Sequence, residues 1–337
     1  MTTELSEPVN VADLSHLSEC MVTAAREFVD LKFRIDTEGR KAPKNLPDDL
    51  HGPVSGGEYG PLGASCFFNN IIPFFPRDIT SNKATVMSVP IAHTLGCSWH
   101  WWPDYDKPTR DKDKIISFIL SEHGARNTAY TYIPELGLCL AEEGQNRVNF
   151  CRYHHIPHVL ANVYTRHYPE AERINVYVLE VAGGSDVWAV LDDRYVQKVS
   201  YFGYALPLLR AYGVTISERW PESLPALNDV LLNVEFCTDK KQFHRPVIDI
   251  QAVKECLDKA ERGERYVKFS LLDLPIRRKF TGLAWTLGSG VAASVMWGIF
   301  SEGVMGQVFL ALLAFSGGIL AVMLAPVLQI KRKHLED

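Results

Sequence analysis

The sequence predicts an α+β protein, a mixed sheet with flanking helices, that ends in a two-helix C-terminal membrane hairpin. Charge distribution decides the hairpin. From Phe280 to Ser301, and again from Gly303 to Ile330, there is no Asp, Glu, Lys or Arg. At about 1.5 Å per residue these runs are about 33 and about 42 Å long, against a hydrocarbon core of about 30 Å, so each can cross once. Short apolar segments interleaved with helix-period segments decide the α+β body.

The N-terminal polar stretch, Met1 to Asn10, lacks the basic and apolar regions of a secretory signal. Asp13 is expected to cap a helix with Leu14, Leu17, Met21, Ala24, Phe28, Leu31 and Ile35 on one seam, ending near Gly39. Three heptads suit a helix docked on its own domain, and self-association is the alternative. The Pro and Gly residues between Pro43 and Gly63 predict a linker or long loop. Strands are then expected at Val86–Leu95, Thr128–Ile133, Leu138–Ala141 and Ile156–Val163, with helices at Lys112–His123 (ending at Gly124) and Asn146–His154. Gly183 and Gly184 predict a hairpin between strands Ile174–Val181 and Val187–Leu191. Further on come a helix Tyr204–Tyr212 stopped at Gly213, and one capped by Asp249 with Ile250, Val253, Leu257 and Ala260 on one face, stopped at Gly263. The chain divides accordingly into an N-terminal helix (1–39), a Gly/Pro-rich linker or extension (40–85), an α+β domain (86–213), an α+β extension with a basic juxtamembrane segment (214–279), the hairpin (280–330) and a tail (331–337).

In the hairpin, Arg277, Arg278 and Lys279 precede the first span, and Lys331, Arg332 and Lys333 follow the second, whereas the turn from Ser301 to Gln307 carries only Glu302. The positive-inside rule predicts a multi-pass protein of the inner cell membrane with both termini cytoplasmic. Trp285 and Trp297 suit the two interfaces. Small residues at Gly282, Gly288, Gly290, Gly298, Gly306, Gly317 and Gly318 predict close helix approach. Spans without ionisable residues suit an anchor, and the alternative is a pore or membrane-perturbing effector built from oligomerised hairpins.

A net charge of −5 excludes a whole-protein basic field for nucleic acid. Seven scattered cysteines with no C-x-x-C pair and no zinc spacing point to reduced thiols in a cytosolic compartment. The most informative stretch runs from Leu138 through Glu143, Gly144, Gln145, Asn146 and Arg147 to Arg152, followed by Ile156 and Pro157. A strand ending at a Gly turn where a helix begins gathers backbone N–H groups, Asn146 and the Arg147 guanidinium into a natural anion site, with an Arg held by a structural carboxylate as the alternative.

This stretch resembles the ParB/sulfiredoxin superfamily, marked by an acidic or Gly residue, Gly, two variable positions and Arg at a strand-to-helix turn, then a short helix and a strand introduced by Ile-Pro. The resemblance covers about residues 87–199, and it implies that fold for 86–213. It also implies a phosphate-binding turn in which Gly144, Asn146 and Arg147 hold phosphate oxygens of a nucleotide or nucleic acid. Glu143 would be the catalytic general base or a ligand of Mg²⁺ arriving with the nucleotide, in a nucleotide hydrolase or phosphoryl-transfer enzyme. The sulfiredoxin nucleophile falls at Gln145, which leaves that redox chemistry without its Cys. The His that often precedes the motif Arg is Asn146, and Val214–Arg265 shows no helix-turn-helix reader. The alternative is a non-enzymatic domain that binds a partner or signal. Expected partners are a nucleotide or nucleic acid, the lipid bilayer, and a second copy through the N-terminal helix or the hairpin.

Other stretches carry weaker chemistry. Trp99–Asp106 could stack a ring or hold a metal, or pack its aromatics inward. Arg110–Lys114 suits a solvated helix start. His154, His155 and His158 are kept off one helical face by Pro157. Asp192–Arg194 follows a strand end, where either a turn or a ligand site is expected.

Overall fold

Along the Leu138–Glu143 strand the side chains alternate between two cores, Leu138 and Leu140 entering the larger, Cys139 and Ala141 the smaller. Apolar residues at both phases of a period of two mark a strand covered on both faces. The structure is a computed structural model that describes residues 10–39, 50–52, 54–55, 58–78, 83–97, 112–181, 183–262, 266–269, 279–299, 303–324 and 328–331. The chain separates into two compact units, Met1–Val253 and Lys254–Asp337.

The first unit contains two six-stranded mixed sheets, where a single sheet was expected. In the first, Asn10–Val11 runs parallel to Thr85–Pro90, which pairs antiparallel with His158–Thr165. That strand lies parallel to Ala129–Ile133, which is antiparallel to Leu138–Glu143, and Thr94–Leu95 forms the far edge. The second sheet has the order Thr215–Ser217, Ile174–Val181, Gly184–Leu191, Tyr195–Lys198, Val247–Asp249, Thr238–Asp239. Its central hairpin is the one signalled by Gly183 and Gly184, with Gly183 at φ +95°.

Helices cover both faces of the first sheet. On the smaller-core side, Val148, Phe150 and Cys151 of helix Gln145–Tyr153 and Ile119 of helix Lys112–Ile119 meet Val159, Ala161 and Val163. On the larger-core side lie helices Glu19–Gly39, Ala64–Ile71 and Phe202–Tyr212 together with Val176, Ala189 and Leu191 of the second sheet. Phe28, Phe67, Phe68 and Phe75 meet there with ring centroids 4.9–6.2 Å apart. The apolar seam of the N-terminal helix is thus spent inside its own unit.

Several expected elements shift, each for a local reason. The N-terminal helix begins at Glu19, because Ser18 Oγ accepts from Met21 N at 3.2 Å, while Asp13 closes a turn onto Ser15 N at 2.9 Å. Within the stretch expected as linker or extension, Ala64–Ile71 is a helix whose aromatic pair Phe67 and Phe68 enters the larger core. The strand expected over Val86–Leu95 stops at Pro90, gives way to a 3₁₀ turn at Ile91–His93, and resumes as Thr94–Leu95. Lys112–Ile119 ends before a separate turn, Glu122–Ala125, capped by Ser121 Oγ accepting from Gly124 N at 3.0 Å. Gly124 lies inside that turn, since a Cβ there would meet Phe118 O at 2.0 Å. The third strand of the first sheet starts at His158, beyond Pro157, whose carbonyl accepts from Ile91 N at 2.9 Å. The cap at Asp249 and the stop at Gly213, with φ +102°, are where the sequence put them. Gly263, Arg110, Asp111 and the Trp99–Asp106 stretch lie outside the described residues.

In the second unit, helices Lys279–Ile299 and Val304–Leu324 pack on each other, and both are long and apolar enough to cross a membrane. Gly303 makes the turn at φ +103°. Ser289 and Ser316 hydroxyls meet at 3.2 Å, and a Cβ at Gly290 would lie 3.6 Å from Ser316 Cβ. A Cβ at Gly282, Gly288, Gly298, Gly317 or Gly318 would meet nothing within 4 Å, so those small residues lie off the helix contact. Chain before and after the helices pairs as antiparallel strands Tyr266–Phe269 and Leu328–Lys331.

One buried ion pair interrupts the apolar face of the N-terminal helix. Lys32 Nζ sits 2.5 Å from both Asp36 carboxylate oxygens, with Lys32 1% exposed, and the ammonium lies 5.2 Å from the Phe67 ring centroid. Burial pushes the Asp36 carboxyl up to about 6 against the opposing pull of Lys32. Asp36→Leu strands the Lys32 charge and is expected to cost about 3–5 kcal/mol, while Lys32→Met/Asp36→Leu restores most of that loss. Denaturant midpoints of the two variants check this; a double variant as unstable as the single one contradicts it.

Candidate functional site

The strand that feeds both cores ends in an irregularity. Tyr130 pairs with Ala141 but Ala129 pairs with Glu143, so Glu142 is an extra, bulged residue. Bulges of this kind re-aim a side chain and end a ladder. Gly144 follows in the left-handed region at φ +86°, ψ 17°, and heads helix Gln145–Tyr153 with no side-chain cap. A Cβ at Gly144 would also meet Thr128 Cγ2 at 2.9 Å, which fixes Gly there on two counts.

The four residues expected at the turn fall within one helical turn of each other. Glu143 and Asn146 are exposed, and Gly144 and Arg147 are partly buried. The Gln145 and Asn146 N–H groups head the helix without intrahelical acceptors, whereas Arg147 N donates to Gly144 O at 3.0 Å. Arg147 Nη1 donates to Gly124 O at 2.7 Å, and its guanidinium lies 5.5 Å from the Phe118 ring centroid. Arg147 therefore braces the Lys112–Ala125 segment with one edge and one face of its plane. Gln145 Nε2 donates to Glu142 O at 2.8 Å, while Gln145 Oε1 is buried with no partner among the described residues.

A second polar cluster, scattered through the sequence, collects on the other face of the same sheet. Thr131 lies opposite Leu140, so it shares the larger-core face. Glu142 Oε1 accepts from both Thr131 Oγ1 and Ser65 Oγ at 3.0 Å. Arg166, 5% exposed, follows the central strand; its Nη1 donates to His244 Nε2 at 2.8 Å and its Cζ lies 4.8 Å from the Phe75 ring centroid. Phe75 and His244 stack at 5.3 Å and 19°, and Arg77 Nε donates to Phe243 O at 2.8 Å. Burial lowers the His244 pKa, and the Arg166 and Arg77 charges lower it further. The spacing of Ser65, Glu142, Arg166 and His244 along the chain leaves no local signal for this cluster.

Among the described residues no group of three or more His, Cys, Asp or Glu side chains could hold a metal, His154, His155 and His158 included. Asp192 and Asp193 occupy the left-handed region at φ 54° and 52°, and the turn is stapled by Arg173–Asp192 and Arg194–Asp249 ion pairs of 2.7 and 2.8 Å. Compared with known proteins, the chain matches no family model, no curated protein and no solved structure.

Two thiols flank the turn in the smaller core, and neither is poised to react. Burial pushes Cys151 up to about 11 and Cys139 higher still. Cys20 and Cys66 are exposed, while Cys97, Cys139, Cys151 and Cys237 are buried. In a thiol-reagent titration of the native chain, Cys20 and Cys66 are expected to react first and the four buried thiols only after unfolding; early modification of Cys139 or Cys151 contradicts this packing.

Proposed function

We propose that the chain is a membrane-anchored cytoplasmic domain of ParB/sulfiredoxin-like type that binds a nucleotide, or nucleic-acid phosphate, at the Glu143–Arg147 turn. The observation that carries this reading is the uncapped helix start behind left-handed Gly144, with the Gln145 and Asn146 N–H groups, exposed Asn146 and partly buried Arg147 all within its first turn. Donors fixed by the backbone and concentrated at a positive helix end suit a phosphate. Exposed Glu143 adjoins the same turn and is the group to activate water or hold nucleotide-borne Mg²⁺ if the bound phosphate is hydrolysed or transferred.

Full-length protein in nanodiscs, offered CTP, ATP, GTP and ADP with Mg²⁺, is expected to bind one of them. Asn146→Ala, at an exposed position, should weaken binding about tenfold, or 1.4 kcal/mol. Glu143→Gln should keep binding and lose any turnover. A folded chain that binds none of the four removes this reading and shifts weight to the hairpin.

Anchoring rests on the two apolar helices and on the pairing of Tyr266–Phe269 with Leu328–Lys331, which suits both flanks lying on one side of the bilayer. Basic residues on those flanks then assign that side to the cytoplasm. A single Cys at Ser301 in a Cys-free background should be labelled by an impermeant maleimide from outside the cell, and one at Lys333 only after permeabilisation. The reverse pattern inverts the topology.

A further inference from the structure

We propose that Arg166, His244 and Arg77 form a second binding site, for a small oxyanion of phosphate or carboxylate type, on the face of the first sheet opposite the Arg147 turn. Arg166 carries the argument. Its side chain is almost wholly enclosed, at 5% exposed, yet its Nε is buried with no hydrogen-bond partner among the described residues. Leaving such a donor unmet costs about 1–3 kcal/mol, and more for a charged group, so an arrangement that keeps it open points to an acceptor from outside.

The surroundings hold that guanidinium in place and leave its Nε unmet. Arg166 N donates to Tyr132 O at 2.9 Å, His244 N to Phe75 O at 3.0 Å and Arg77 N to Gln242 O at 3.1 Å, so three separate segments are pinned by backbone bonds. Phe75 is the shared plate, with the Arg166 guanidinium and the His244 ring both packed on it. The His244 Nε2 lone pair accepts from Arg166, which leaves the ring neutral with its proton on Nδ1. Burial disfavours the Arg166 charge, and Glu142 and Asp78 lie near enough to offset this only in part; Arg166 closes an ion pair with neither, and one Glu142 oxygen is taken by Ser65 and Thr131.

The chemistry of the donors suits an oxyanion. Arg166 and Arg77 supply two cations around a neutral imidazole and face the nearby Glu142 and Asp78 carboxylates, so what suits an oxyanion is the unmet Arg fork, which pairs two oxygens of a phosphate or carboxylate at once. Arg77 is exposed and His244 partly so, so two of the three side chains reach solvent while Arg166 is enclosed. A guanidinium already stacked and aligned loses little freedom on binding.

The test reads Arg77 itself, so phosphate bound at the Arg147 turn does not confuse it. Full-length protein in nanodiscs is treated with phenylglyoxal in inorganic phosphate, in acetate, or in chloride of equal ionic strength, and Arg77 modification is followed by peptide mass. Saturable protection by phosphate or acetate, slowing Arg77 modification about tenfold at saturation where chloride does not, is expected, and the effective anion names the class. Arg166→Met should abolish the protection; if that variant fails to fold, His244→Ala takes its place. Equal Arg77 rates in all three salts, or protection that survives both variants, overturns the proposal.

Discussion

Two-sided burial of the first sheet is the constraint on which the rest of the first unit depends. Leu138 and Leu140 must enter one core while Cys139 and Ala141 enter the other, so a slip of one residue would exchange the two sets and mismatch both. With the register locked, helices are required on both faces. Gln145–Tyr153 and Lys112–Ile119 supply one cover; the aromatic-rich Ala64–Ile71 and the N-terminal helix supply the other.

The same constraint builds both polar sites. Where Leu138–Glu143 runs out of apolar residues, the ladder is released by a bulge at Glu142, and the chain turns through left-handed Gly144 into a helix. On one side of the sheet this leaves an uncapped helix start beside Arg147. On the other it aims Glu142 at Ser65 and Thr131, within electrostatic reach of the Arg166–His244 pair. Two clusters thus share one strand end, the first made of neighbours in sequence, the second of residues from five separate segments.

Polar groups inside the larger core follow a different logic from the apolar ones. Lys32 and Asp36 lie one helical turn apart on a face that is otherwise apolar, each tolerated because the other is within 2.5 Å. Such a pair adds little net stability against apolar residues of the same volume. Because both residues lie on one helix, the pair stays closed wherever the helix sits; what is particular to this position is its enclosure, with the ammonium against the Phe67 ring.

Local patterns legible in the sequence were those with a short-range cause. The uncharged runs at the C-terminus, the Gly183–Gly184 hairpin, the Gly213 stop, the Asp249 cap and the strand–Gly–helix order around Gly144 each depend on residues within a few positions of one another. What tertiary structure alone decided depends on partners far along the chain. Nothing near Phe67 and Phe68 distinguishes a strand from a helix until Phe28 and Phe75 are placed against them. Arg147 reads in the sequence as a phosphate ligand or as an Arg held by a carboxylate, and only the fold brings Gly124 O and the Phe118 ring to one edge and one face of it. Division of the strands into two sheets, and the meeting of Glu142, Arg166 and His244, arise from long-range pairing, because burial and hydrogen-bond satisfaction are properties of the assembled fold and not of any window of residues.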